Sequence, residues 1–158
     1  MTKLCKQVLD WLAGKTLATA ESCTGGGIGA ALTAVSGSSA VYKGGIISYC
    51  NEIKHALLGV DEKLLQDLGA VSGPVAREMA IGARKALAAD VAVSVTGLAG
   101  PGGDEYGNPV GTVFIGYADE KTALAREYHF SGDREEVRNQ AICEALKMIL
   151  EQQCALKE

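Results

Sequence analysis

The sequence lacks long apolar runs, cysteine pairs and histidine clusters, and each absence excludes a class of protein. No stretch of about 18 apolar residues occurs, so no transmembrane helix is predicted. Residues 1–15 lack the apolar core of a signal peptide. The five cysteines include no C-x-x-C pair, which argues against a disulfide framework and a zinc knuckle. These absences predict a cytoplasmic protein with no membrane partner and no metal site.

Basic blocks and aromatic side chains are also scarce. The net charge is -4, no cluster of Lys and Arg stands out, and aromatic residues make up 5% of the chain. A nucleic-acid partner is therefore not expected. A small anionic ligand remains compatible with this composition, because a few local donors suffice to bind one phosphate. Glycine, in contrast, is abundant at 20 of 158 residues, in short clusters that indicate functional loops.

The length of 158 residues is that of one domain, predicted to span residues 1–158. Helices are predicted at 2–13, at 27–35, after a cap at Asn51, at 61–68, from Ser72-Gly73-Pro74, and after 131–133. Strands are predicted at 16–20, 41–49, 91–95, 111–118 and 123–130, the last two as a hairpin. This alternation predicts the α/β class, as a three-layer sandwich in which a mixed β-sheet carries helices on both faces.

The first candidate site is the segment Glu21-Ser22-Cys23-Thr24-Gly25-Gly26-Gly27, which follows a strand and opens a helix. A turn at a strand end lifts side chains out of the sheet, and glycines let a ligand approach the backbone. Backbone N–H groups from Cys23 to Gly26, or alternatively from Gly97 to Gly100, are candidates for holding an oxyanion, and Thr24, Gly25 and Gly26 are predicted to contact the substrate. Two alternatives stay open: Ser22 or Thr24 only caps the helix, or Cys23 is a thiolate nucleophile.

The second candidate site is Tyr49-Cys50-Asn51-Glu52-Ile53-Lys54. A serine hydroxyl needs a base, and neither of the two histidines has a recognisable triad neighbourhood. Lys54 can serve as that base if burial or the helix dipole lowers its pKa. Tyr49, at the strand end, could relay a proton or hold the lysine. The alternative is that Lys54 is solvated and Tyr49 belongs to the core.

The third candidate site is the glycine-rich segment after the strand at 91–95. It matches neither a Walker A motif nor a Rossmann fingerprint, and its alternative interpretation is a mobile surface loop. Residues of this segment predicted to contact substrate are Thr96, Gly97, Gly100, Gly102 and Gly103. If the loops at 22–27, 49–54 and 96–103 meet at one edge of the sheet, they form one pocket.

The fourth candidate site is the start of the last helix. Arg134 and Arg138 are four residues apart, so they share a helix face and could grip a phosphate together. The alternative is a capped helix start in which these arginines pair with Glu135 or Glu136.

Seven segments occur together in a recognisable order. They are Ala20-Glu21-Ser22-Cys23-Thr24-Gly25-Gly26, Gly37-Ser38-Ser39, Tyr49-Cys50-Asn51-Glu52-Ile53-Lys54, Gly69-Ala70-Val71-Ser72, Thr96-Gly97-Leu98-Ala99-Gly100-Pro101-Gly102-Gly103, Pro109-Val110-Gly111-Thr112-Val113 and Ser131-Gly132-Asp133-Arg134. In this order they resemble the C-terminal domain family of the competence/damage-inducible protein CinA. The resemblance covers residues from about 4 to 152. Cys50 departs from it, because the family often has Ser or Thr there.

The resemblance implies an amidohydrolase that converts nicotinamide mononucleotide to nicotinic acid mononucleotide and ammonia. It assigns the nucleophile to Ser22, the base to Lys54 and a catalytic tyrosine to Tyr49, without metal or cofactor. Some members of the family carry a further domain before this one. The sequence shows no such domain, so we expect a stand-alone deamidase. A pyridine mononucleotide is the expected small-molecule partner, and a homodimer the expected assembly. Two alternatives remain: a catalytically silent nucleotide- or partner-binding module, and an amidohydrolase of another small amide.

Overall fold

The computed structural model describes residues 1–155, which form one five-stranded sheet with six α-helices. The strands are β1 (Leu17–Glu21), β2 (Tyr42–Ile47), β3 (Val91–Gly97), β4 (Thr112–Ala118) and β5 (Ala123–His129), and their order in the sheet is β2-β1-β3-β4-β5. β1 is parallel to both β2 and β3, whereas β4 is antiparallel to β3 and to β5. The predicted mixed sheet is therefore confirmed, with β4 and β5 as the predicted hairpin.

The helices cover both faces of the sheet. They are α1 (Thr2–Trp11), α2 (Gly27–Thr33), α3 (Asn51–Leu58), α4 (Glu62–Leu68), α5 (Gly73–Ala86) and α6 (Arg134–Ala155). One apolar core joins α1, α2 and α6 to the sheet, and a second joins α3, α4 and α5 to the other face. The predicted three-layer α/β architecture is confirmed. None of the helices in the described part of the chain is long and apolar enough to cross a membrane.

The two faces of the sheet differ in side-chain size. Val91, Val93 and Val95 point toward the core shared with α6, while Ala18 and Ala92 face α5. Small side chains let α5 approach closely, and the hydroxyl of Ser94 donates a hydrogen bond of 2.5 Å to the Ala76 carbonyl of α5. The buried valines stabilise the fold by roughly 1.5–3 kcal/mol each relative to exposed side chains.

Local signals set most element boundaries, with differences at β2 and α3. α5 begins at the predicted Ser72-Gly73-Pro74 segment, where Ser72 is the N-cap and accepts a hydrogen bond from Val75 N. β2 ends at Ile47, two residues before the predicted end, and its register with β1 slips between Tyr42 and Gly44. Cys50, rather than Asn51, is the N-cap of α3, and no side chain caps this helix.

The carboxyl ends of β1, β2 and β3 meet at one edge of the sheet, because these strands are parallel. β5 runs in the same direction as β3, since two antiparallel pairings separate them, and the chain leaving β5 enters α6 at this edge. Such an edge is where ligands bind in open α/β sheets. The topology therefore brings all four candidate segments to one place.

Candidate active site

Ser22 and Lys54 form a buried hydrogen-bonded pair at this edge of the sheet. Lys54 Nζ lies 3.0 Å from Ser22 Oγ, and it also donates a hydrogen bond of 2.7 Å to the Ser48 carbonyl. Ser22 is 8% exposed and Lys54 is 1% exposed. Ser22 directly follows β1, where its N–H donates to Val95 O, and Lys54 lies in the first turn of α3. The interpretation of Lys54 as a solvated helix residue is wrong.

Burial lowers the pKa of Lys54 from its ordinary value of 10.5 to about 8, against a smaller opposing influence of Cys50 and Cys23. Within residues 1–155 no carboxylate forms an ion pair with this lysine. Near pH 8 about half of the molecules therefore hold Lys54 in its neutral form. A neutral amine 3.0 Å from a serine hydroxyl can accept the hydroxyl proton.

Glu21 is a buried residue of the site that our sequence interpretation missed. Its carboxylate is 2% exposed and accepts hydrogen bonds from Thr24 Oγ1 at 2.8 Å, Ile28 N at 2.8 Å and Gly29 N at 3.1 Å. It thus satisfies N–H groups at the start of α2, whose N-cap Gly26 has no side chain. A glutamate at a buried strand end, just before a glycine-rich helix start, is the signal that could have identified it.

The turn between Glu21 and α2 does not use Ser22 as a helix cap. α2 begins at Gly27, and Gly26, at φ 96°, is its left-handed N-cap. Gly25 has φ 58° and donates its N–H to Ser22 O at 3.0 Å, which closes a tight turn. Because the turn ends before the helix starts, the Ser22 hydroxyl is free to meet Lys54.

A cavity of about 280 Å³ opens on the Ser22–Lys54 pair. Residues that line it are Ser22, Cys23, Tyr49, Asn51, Lys54, Ala70, Val71, Thr96, Gly97, Leu98, Ala99, Gly100, Gly102 and Arg134. The structure therefore brings together eight of the predicted site residues, from all four segments. Thr96 also donates its hydroxyl to Ala70 O at 2.9 Å, which ties the segment before α5 to the pocket wall. Asn51, Ala70 and Val71 line the pocket without having been predicted to.

Five predicted site residues lie outside this lining: Thr24, Gly25, Gly26, Gly103 and Arg138. The Thr24 side chain is fully buried on Glu21. Arg138 donates from Nε to Cys23 O at 3.0 Å and from Nη2 to Thr24 O at 3.2 Å, so its guanidinium holds the serine turn. Gly103 packs against the carbonyl of Asn108 within the loop that follows β3.

Tyr49 and Arg134 meet at the mouth of the pocket. Arg134 donates from Nη2 to Tyr49 Oη at 3.0 Å and from Nη1 to Gly100 O at 2.6 Å. Tyr49 is 63% exposed, so it does not belong to the core, and its hydroxyl bonds to Arg134 rather than to Lys54. Both acceptors of the Arg134 guanidinium are uncharged oxygens, which leaves its positive charge available to an anionic ligand.

Cys23 does not have the properties of a thiolate nucleophile. It is 6% exposed, and burial raises the pKa of its thiol to about 11, so the thiol stays protonated near neutral pH. No cluster of three or more His, Cys, Asp or Glu side chains that could hold a metal occurs in residues 1–155. The polar side chains of the pocket include the Ser22 hydroxyl, the Lys54 amine, the Tyr49 phenol and the Arg134 guanidinium, beside Asn51 and Thr96.

The fold and the site define the class: a three-layer α/β protein with a buried serine–lysine pair in a pocket at the carboxyl edge of its sheet. The sequence matches the CinA C-terminal domain family over residues 1–153. The chain belongs to this family.

Solved structures of the family share the fold closely. A CinA superfamily protein from Klebsiella pneumoniae 700603 superposes with a TM-score of 0.94 at 35% identity, over 98% of each chain. A competence/damage-inducible protein from Agrobacterium tumefaciens superposes with a TM-score of 0.91 at 38% identity, over 95% of this chain and 93% of that one.

Curated relatives fall into two lengths. The nicotinamide-nucleotide amidohydrolase PncC of Escherichia coli K12 is 48% identical over 140 residues, which is 88% of this chain and 85% of PncC. A CinA-like protein of Geobacter sp. strain M21 is 51% identical over 125 residues, which is 79% of this chain and 30% of that protein. The chain thus spans about three tenths of the CinA-like proteins and most of PncC.

Proposed function

We propose that this protein hydrolyses the carboxamide of nicotinamide mononucleotide, releasing nicotinic acid mononucleotide and ammonia. The observation that carries the proposal is the 3.0 Å contact between the buried Lys54 amine and the Ser22 hydroxyl inside the pocket. The similarity to PncC, whose name states a nicotinamide-nucleotide amidohydrolase, supports the substrate class. A serine–lysine pair is a known variant of the serine nucleophile and its base.

The chemistry is acyl transfer in two steps. Neutral Lys54 accepts the Ser22 proton while Oγ bonds to the carboxamide carbon, which gives a tetrahedral oxyanion. The C–N bond then breaks, and the proton on Lys54 passes to the departing nitrogen, so that ammonia leaves and an ester of Ser22 remains. Water loses a proton to Lys54, attacks that ester, and releases the acid as Ser22 regains its proton.

The oxyanion needs hydrogen-bond donors close to Ser22. Within the described residues, no acceptor is bonded to the N–H groups of Cys23 and Thr24, which lie in the turn that carries the nucleophile. The Ala99 N–H, from another residue of the pocket lining, is also without an acceptor in the described part of the chain. Backbone donors placed this way stabilise a developing oxyanion without any reorganisation during the reaction.

Arg134 is the group that we assign to the phosphate of the mononucleotide. It lies at the pocket mouth and holds only neutral acceptors, so a phosphate dianion would be a stronger partner than the Gly100 carbonyl. Tyr49 remains assigned as the catalytic tyrosine by prediction. Its hydroxyl accepts a hydrogen bond from Arg134, so it lies beside the group that we assign to the phosphate.

Ammonia release from nicotinamide mononucleotide, measured with purified protein, tests the proposal. Ser22→Ala should lower the turnover by several orders of magnitude and leave substrate binding intact, while the exposed Ser39→Ala serves as the matched control. Near-native turnover of Ser22→Ala would refute the serine assignment. Binding without release by the unaltered protein would favour a silent nucleotide-binding module, and release only from other carboxamides would favour another substrate.

The assembly of the protein is part of the proposal. We expect a homodimer. Two exposed apolar side chains offer a surface for it: Ile47 lies on β2, at the sheet edge, and Leu57 lies on α3, which also lines the pocket. Light scattering coupled to size-exclusion chromatography measures the mass directly, and a mass of one chain across the assay concentrations would refute this expectation.

A further inference from the structure

Arg138 holds the turn of the nucleophile from a distant part of the chain. It lies on α6, yet its guanidinium reaches the carbonyl oxygens of Cys23 and Thr24 at 3.0 and 3.2 Å, 115 and 114 residues away in sequence. The Cys23 carbonyl has no backbone donor within residues 1–155, so this arginine is its hydrogen-bond partner. Two donors on a rigid planar group fix both the position and the orientation of these peptides.

The direction of the fixed carbonyls determines where the N–H groups of the turn point. In a trans peptide the C=O and the following N–H point in opposite directions. Because the Cys23 carbonyl is held toward α6, the Thr24 N–H is directed away from α6. That N–H has no acceptor in the described structure, and it lies two residues from the Ser22 hydroxyl. The hydrogen bonds of Arg138 thus fix the direction of an N–H group without an acceptor beside the nucleophile.

Docking of α6 does not depend on this arginine. Val137, Ala141, Ile142, Ala145 and Leu146 are buried from the same helix and anchor it to the apolar core. Arg138 is also absent from the pocket lining, whereas Arg134, one turn earlier, lies in it. Neither helix packing nor phosphate binding therefore accounts for the contacts that Arg138 makes.

We propose that Arg138 is a positioning residue, which sets the geometry of the Ser22 turn and of its N–H donors for acyl transfer. This inference rests on the proposed function for its substrate, but the geometric role applies to any acyl compound that Ser22 attacks. A misplacement of about 1 Å in such a site lowers rates roughly 100-fold.

Arg138→Gln and Arg138→Lys test this role with two substrates, nicotinamide mononucleotide and the same nucleoside without phosphate. We expect both variants to lower kcat by roughly 10- to 100-fold for both substrates, with KM changed less than about threefold. Lysine at this position should not restore kcat, because a single ammonium group cannot reproduce two donors in a fixed plane. Lys147→Gln, on an exposed part of α6, removes the same charge and should leave kcat unchanged.

Three outcomes would overturn the proposal. An unchanged kcat, or a KM increase confined to the phosphorylated substrate, would remove the positioning role, and the latter would make Arg138 a phosphate ligand. A kcat that falls only in proportion to the folded fraction, measured by circular dichroism, would refute the role as well.

A reagent without phosphate separates this inference from the proposed function. Acylation of Ser22 by p-nitrophenyl acetate reports on the turn alone. Its rate is measured from the release of p-nitrophenol, and mass spectrometry identifies the acylated residue. If the unaltered protein is acylated at Ser22 but releases no ammonia from the mononucleotide, the proposed substrate fails and the reagent still tests Arg138. A tenfold or larger loss of acylation in Arg138→Gln supports the positioning role, and equal acylation rates refute it.

Discussion

Deprotonation of Lys54 governs the proposed reaction, so kcat/KM for ammonia release should rise with pH and level off above about pH 8. Burial lowers the pKa of Lys54 from 10.5 to about 8, and a general base acts only in its neutral form. With that pKa, about 1% of the free protein has a neutral Lys54 at pH 6, about 10% at pH 7 and about 90% at pH 9. The profile should therefore climb about tenfold between pH 6 and pH 7 and flatten above pH 8.

The size of the effect distinguishes a buried lysine from an exposed one. A lysine of ordinary pKa would be only about 0.03% neutral at pH 7, about 300-fold less than the buried amine. The downward direction of the pKa shift follows from desolvation, which penalises the charged form of Lys54. The burial of this side chain, with no ion-paired carboxylate among the described residues, thus gives Lys54 a much larger neutral fraction near pH 7 than an exposed lysine has.

Initial rates at low substrate concentration, from pH 6 to pH 10, measure this profile. The nucleoside without phosphate should be run in parallel, because the second phosphate pKa of about 6 would otherwise contribute a break of its own. Reactions without protein correct for spontaneous hydrolysis, and circular dichroism at each pH verifies folding. A profile that is flat from pH 6 to pH 9, or one that rises without a break up to pH 10, would refute the role given to Lys54.

Three further predictions concern neighbouring side chains. Arg134→Gln should raise KM roughly 10- to 100-fold for the mononucleotide, since it loses a charge-assisted hydrogen bond; an equal effect on the nucleoside would contradict a phosphate contact. Glu21→Gln should lower the free energy of unfolding by about 2–3 kcal/mol, because an amide cannot accept all the hydrogen bonds of this buried carboxylate; thermal melting that matches the unaltered protein would refute this. Cys23→Ala should keep kcat within about threefold, because the thiol is protonated; a large loss in folded protein would implicate the thiol.

Much of the fold follows from local patterns in the sequence. The β-branched run at 91–95 forms the buried strand β3, and the Ser72-Gly73-Pro74 segment opens α5 as predicted. Errors lie at boundaries: β2 stops at Ile47 because the chain turns toward α3 there, and Cys50 takes the N-cap position of that helix. Such differences depend on how a strand end meets the next helix, which residue periodicity does not encode.

The site was less accessible to sequence reasoning than the fold. Ser22 and Lys54 are 32 residues apart, and they meet because β1 and β2 are adjacent parallel strands whose following segments leave the same edge. Periodicity predicts the strands but not their order in the sheet. The partners of Glu21 illustrate the same limit, because its bonds to the Thr24 hydroxyl and to the Ile28 N–H depend on the shape of the turn between β1 and α2.

Arg134 and Arg138 have different roles because of the irregular segment between β1 and α2. Helical spacing places Arg134 and Arg138 on one face, and from that spacing both were expected to grip a phosphate. In the structure β1 ends at Glu21 and α2 begins only at Gly27, so the intervening turn has peptide groups outside any helix or ladder. The Cys23 carbonyl among them faces α6, and Arg138 satisfies it. The N–H group of Thr24, on the opposite side of the same peptide, has no acceptor among the described residues, and it is a donor that the proposed oxyanion could use. Because of this one irregular turn, Arg138 bonds to the backbone of the protein, whereas Arg134 lines the pocket.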